Sequence, residues 1–176
     1  FSNGIKSFSI VQSPAILKFI GYSLTNFVDE KYPTIITEFV KNKSLNLILE
    51  KESLGKPPIN WNTSKKYINI LGIALGMQQL HSKGVINRNL KPSNILIDEN
   101  MYPHIDDFSI YKLIKSTSAE FKEKDTCTSL YTAPEVYFKD KYTNKVDVYS
   151  FSYIAYELII GRLINLGDKP IKDFMK

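Results

Sequence analysis

The chain has 176 residues, 43% of them hydrophobic, and a formal net charge of +5. That suffices to close one folded unit around a core and is too little for two. No uninterrupted apolar run approaches the roughly eighteen residues of a membrane span, and the opening FSNGIKSFSI lacks the basic, apolar, small-residue order of a signal peptide, so no membrane partner and a cytoplasmic location are expected.

A single cysteine, Cys127, cannot close an internal disulfide, and with only His81 and His104 beside it there is no zinc-site spacing. The positive charge alone would suit a nucleic-acid partner. However, Lys alternates with Asp and Glu, as in FKEKD, and no basic block carries aromatic neighbours, so no nucleic-acid partner is expected.

In chain order, residues 16–20 and 34–40 are short β-branched or aromatic runs broken by Gly21 and Pro33, which predicts two strands of a small sheet. Trp61 follows as a packing anchor. Over residues 63–82 the spacing of Tyr67, Ile70, Leu71, Ala74, Leu75 and Leu80 predicts an amphipathic helix with Gly84 at its stop. Within it, Gly72 and Gly76 are spaced for close helix packing. Residues 94–97 and 104–107 flank the turn-like DENMYP and predict a hairpin. Residues 145–164, with Val148, Phe151, Ile154, Ala155, Leu158 and Ile159, are apolar around most of the helical circumference and predict a buried helix. Strands first, then helices with one hairpin, make the expected class α+β.

Three motifs lie in this frame: VINRNLKPSNIL at residues 85–96, Asp107-Phe108-Ser109, and Ala133-Pro134-Glu135 within YTAPEVY. In order and spacing they resemble the H-R-D-L-x-x-x-N, D-F-G and A-P-E motifs of eukaryotic-type protein kinases. The resemblance extends to SPAILKFIGY, similar to the strand after the family's αC helix, to IITEFVKNKSL, similar to the hinge, and to DVYSFSYIAYEL, similar to the αF helix. The K-P-S-N ending resembles serine/threonine and tyrosine-kinase-like members. The resemblance implies one kinase domain over residues 1–176, with residues 1–40 as part of the N-lobe and hinge and residues 41–176 as part of the C-lobe, truncated at both ends.

It also implies ATP and Mg2+ as cofactors and assigns positions to them. Thr37 falls at the gatekeeper, Glu38 and Val40 at the hinge backbone that meets adenine, and Leu96 on the floor of the adenine pocket. Lys91 takes the substrate-phosphate position, Asn94 and Asp107 the magnesium positions, and Asn89 the catalytic-base position. Asp147 resembles the αF carboxylate that binds the catalytic-loop backbone, although a helix-terminal carboxylate is also favoured there by the dipole. Ser and Thr residues between 116 and 129 stand where active relatives are phosphorylated, or serve as ordinary loop residues.

The pattern fails at several points. Asn89 replaces the catalytic Asp, and an amide has neither the charge nor the basicity to accept a proton. Asn87 replaces the His that stacks on Phe108, Ser109 replaces a glycine, Asp106 adds a carboxylate beside the phosphates, and Gly4 stands where αC supplies a Glu. No G-x-G-x-x-G is present. The expectation is a degenerate, pseudokinase-like domain that works by binding a protein partner, with weak ATP binding. The alternative is an active ATP-dependent serine/threonine-type kinase, in a longer native form, transferring the γ-phosphate to protein hydroxyls.

Overall fold

The computed structural model describes residues 13–32, 34–41, 43–106, 130–137 and 143–165. Strands β1 (Phe19–Ser23) and β2 (Thr34–Thr37) come first, followed by helices α1 (Leu45–Ser53) and α2 (Thr63–Ser82). A 3-10 turn (Pro92–Asn94) then leads into strands β3 (Ile95–Ile97) and β4 (Pro103–Ile105), and helices α3 (Pro134–Tyr137) and α4 (Lys145–Ile160) close the order. The class is α+β, with an antiparallel sheet at the N-terminal end and a mostly helical remainder.

β1 and β2 pair antiparallel, Tyr22 opposite Ile35, with the register shifting between Phe19 and Gly21. Gly21 therefore sits inside β1 at a bulge, where the missing side chain eases the kink, and does not end a strand as its composition predicted. The strand predicted over residues 16–20 is split in two. Ile16 bridges Ile105 in parallel, with the Leu17 N–H donating to the Ile105 carbonyl at 3.0 Å and the Ile105 N–H to the Ala15 carbonyl at 2.8 Å. Residues 15–17 thus run along β4, and only from Phe19 does the chain join β2. This splice fastens the first sheet to the hairpin. β2 ends at Thr37, so Glu38 and Val40 lie beyond it and not within a strand reaching residue 40.

α2 spans the residues its sequence predicted. The Asn62 side chain caps it, accepting from the Lys65 N–H at 3.0 Å, and Gly84 turns the chain away at φ 72°. The buried face keeps Leu80 of the predicted stripe, with Ile70 packed against the core, and otherwise differs from it. Tyr67, Leu71 and Leu75 are 58, 63 and 57% exposed, whereas Asn69, Ile73, Gly76, Met77 and Leu80 are buried. The glycines decide which face turns inward. A Cβ on Gly72 would lie 2.7 Å from Pro103 Cγ, and one on Gly76 2.8 Å from Ile105 Cδ1, so β4 can approach only along that side. Asn69 inside this face donates from Nδ2 to the carbonyls of Lys65 and Met101, each at 2.8 Å.

The core gathers Leu45 and Leu49 of α1, Ile73 of α2, Ile95, Ile97 and Ile105 of the hairpin, and Ile154 and Leu158 of α4. Each such side chain contributes about 1.5–3 kcal/mol on burial. Trp61 joins the core and donates its indole N–H to Glu52 at 2.8 Å, as a packing anchor should. α4 is buried along one face, through Val146, Asp147, Ser150, Ile154, Glu157 and Leu158, while Val148 and Ile159 are 49 and 62% exposed. The all-round burial predicted for this helix is therefore not observed. Nor does it run to residue 164: Gly161 ends it in the left-handed region at φ 70°, a conformation that disfavours a side chain. Among the described residues no helix is long and apolar enough to cross a membrane.

Candidate functional site

The segment after α2 must turn sharply and enter the hairpin, so its main-chain groups need partners that are not its own. Asp147, in the first turn of α4, supplies most of them. Its Oδ2 accepts from the Asn87 N–H and from His81 Nε2, and its Oδ1 from the Arg88 N–H, all at 2.8 Å. A carboxylate with 1% exposure is tolerable only when satisfied in this way, and charge-assisted bonds to main-chain donors are the strong kind. Arg88 is held at φ 66°, a left-handed conformation uncommon for a side-chain-bearing residue. The resemblance placed Asp147 against the loop backbone, and that contact is observed.

From there the loop is stitched by amides. Asn87 is buried and its Oδ1 accepts from the Asn89 N–H at 3.0 Å. Asn94 Nδ2 donates to the Asn89 carbonyl at 2.9 Å, and the Asn94 carbonyl accepts from the Asp106 N–H at 2.8 Å. The Asn94 N–H closes the 3-10 turn on the Lys91 carbonyl at 2.9 Å. Asn89, Lys91 and Asn94 are thus brought together, with the main chain immediately before Asp107 fastened beside them. Asp107, Phe108, Ser109, Gly4, Cys127 and residues 116–129 lie outside the described residues.

The positions expected at the gatekeeper and hinge end β2 or follow it, and two of them are tied to the chain around β1. The Glu38 N–H donates to the Lys18 carbonyl at 2.9 Å, and Glu38 Oε1 accepts from the Lys18 N–H at 2.8 Å. Thr37 pairs with Phe19. Leu96 bridges Ser44 and faces His104 across the hairpin. The Val40 main chain makes no hydrogen bond to a described residue.

A further buried pair had no sequence expectation. Glu157, fully buried on α4, accepts from the Tyr131 hydroxyl at 2.7 and 2.9 Å and from the Ile164 N–H at 2.9 Å. Burial raises the Glu157 carboxyl above the usual carboxylate range, against the opposing effect of those two donors. Burial, then the bond to Glu157 and its charge, push the Tyr131 hydroxyl well above the ordinary phenol range. Ser150 reinforces the joint by donating to the Tyr131 carbonyl at 2.6 Å. Together they seat the segment before Ala133-Pro134-Glu135 on α4. A lone acid inside the apolar run YIAYELII was the available signal.

A protein kinase domain family model matches residues 2–175. The chain belongs to the protein kinase domain family. It is 31% identical over 179 residues to a probable LRR receptor-like serine/threonine-protein kinase of Arabidopsis thaliana, 36% over 171 residues to Receptor-like kinase LIP1, and 35% over 167 residues to Cysteine-rich receptor-like protein kinase 25, both from the same organism. These alignments take in 99, 94 and 92% of this kinase domain chain but only 17, 26 and 24% of the relatives. The chain therefore spans about a quarter or less of the curated relatives it matches. Among the described residues of the kinase domain, no three His, Cys, Asp or Glu side chains cluster as a metal site.

Proposed function

We propose that this kinase domain is catalytically impaired and acts by binding a protein partner, with ATP and Mg2+ bound weakly as a conformational aid. The observation that carries the reading is Asn89. A hydroxyl nucleophile needs a carboxylate at that point to accept its proton, and an amide gives neither basicity nor charge, so about 10²–10⁴ in rate is forfeited. Its main chain is nonetheless held on both sides, by Asn87 and by Asn94. A loop that keeps its frame while lacking its base is suited to display and ligand contact rather than transfer.

In this reading residues 1–40 form the N-terminal part of the domain up to the hinge, and residues 41–176 the C-terminal part. Adenine would lie against Leu96 and Thr37 and meet the main chain at Glu38 and Val40, of which the Val40 main chain is not engaged by described residues. Asn94 and Asp107 would hold magnesium, and Lys91 would face the phosphates. Bound ATP would supply the transferable γ-phosphoryl group. Asp106 adds a carboxylate beside that anion, which weakens binding unless the metal offsets it. The proposal includes a cytoplasmic location, where ATP is at hand and the one cysteine, Cys127, stays reduced.

The second reading is an active serine/threonine-type protein kinase. It is favoured by the intact hydrogen bonding around Asn89 and by relatives whose names describe such enzymes. Titration of ATP with and without Mg2+, followed by calorimetry and by melting temperature, tests the nucleotide part of the proposal. A magnesium-dependent rise in Tm with Kd in the high micromolar to millimolar range is expected. No heat and no shift at millimolar nucleotide would contradict it.

A further inference from the structure

His104 stands between two carboxylates from two different segments. Its Nδ1 lies 3.6 Å from Glu38 Oε1, on the hinge side, and its Nε2 lies 3.5 Å from Asp98 Oδ2, at the turn of the hairpin. Nδ1 is buried and makes no hydrogen bond among the described residues. A neutral imidazole carries one N–H and can donate to only one of these carboxylates, whereas the protonated ring donates to both. Both acceptors are themselves fixed. Asp98 Oδ1 accepts from the Asn100 and Tyr102 N–H groups at 2.8 Å, and Glu38 Oε1 from the Lys18 N–H at 2.8 Å. His104 is also paired across β3–β4 with Leu96.

We propose that His104 is a positioning residue for the adenine-facing hinge, its protonated ring clamping Glu38 to the hairpin that carries Leu96. Among the described residues, the charged groups facing the ring are Glu38 from the segment after β2 and Asp98 from the segment after β3. On the β1 side, Lys18 meets Glu38 through its main-chain N–H. Protonation of the ring adds the second N–H donor, and with it the second contact. The clamp therefore engages as pH falls and releases as pH rises. The positioning role rests on the proposed nucleotide site, while the clamp itself does not.

The test uses the whole chain. It has two histidines, so two ring titrations are resolved by NMR, and a His104→Gln variant assigns one of them. The main-chain N–H of residue 38 should shift along the His104 titration, and that shift should vanish in His104→Gln and in Glu38→Gln. The second variant keeps the oxygen that Lys18 uses and does not touch the buried ring. Adenosine, which does not titrate in this range, is the ligand probe: its affinity should be about threefold tighter at about pH 5.5 than at about pH 8, and independent of pH in both variants. An N–H of residue 38 that ignores the His104 titration, or moves equally in Glu38→Gln, overturns the clamp. An intact clamp with no saturable adenosine binding at either pH overturns the nucleotide reading, and the positioning role with it.

Discussion

Two buried acids organise the site. Asp147 serves three donors at 2.8 Å, so replacing it with Asn turns an acceptor into an N–H₂ group facing main-chain N–H groups. Asp147→Asn should lower stability by about 2–3 kcal/mol in urea denaturation, and a loss under about 1 kcal/mol would show that the loop does not depend on this carboxylate. Glu157 predicts a pH dependence of known sign. Because its folded carboxyl is raised above 4.5, the folded chain binds more protons than the unfolded chain just above that pH, and stability is full below it and falls as pH rises through the folded titration. Glu157→Gln should flatten that part of the decline above pH 4.5, measured by urea midpoints; parallel profiles for both proteins would contradict the assignment. At this scale the motifs made Asn89, Lys91 and Asn94 legible, because their spacing is local to one loop. His81, His104, Tyr131 and Glu157 were not legible, since each acts on a partner six or more residues away in sequence, brought close only by the fold.

At the scale of elements, α2 shows what periodicity can and cannot fix. Its ends were legible from Asn62 and Gly84, but two apolar stripes run along it, one with Tyr67, Leu71 and Leu75 and one with Ile73, Met77 and Leu80. The choice falls to the glycines, which only the placement of β4 reveals. Gly76→Val should cost about 1–3 kcal/mol by overpacking against Ile105 and Ala15, whereas Leu71→Gln should change stability by less than about 0.5 kcal/mol. Thermal or urea unfolding of the two variants checks both, and a reversed order would mean the helix is rotated. α4 repeats the lesson. Its composition looked fit for burial all round, yet Val148 and Ile159 face outward because the polar residues Asp147, Ser150 and Glu157 take inward positions to meet main-chain donors and carbonyls.

For the whole molecule, the family is legible in the order of motifs, and in the structure separate segments converge on the β3–β4 hairpin. Residues 15–17 run along β4, residues 43–44 along β3, α1 and α2 pack on its faces, and α4 reaches the loop that feeds it. In the proposed reading Asn89 stands where a carboxylate base is needed, and impairment is the central claim of that proposal. The measurement that tests it most directly is single-turnover phosphoryl transfer from ATP with Mg2+ to a generic hydroxyl-bearing protein substrate, run side by side on the chain and on its Asn89→Asp variant. Transfer near background for the chain and a gain of about 10² or more in the variant is the expected result. Transfer by the Asn89 chain at the rate of the variant, well above background, would contradict the claim and leave an active kinase.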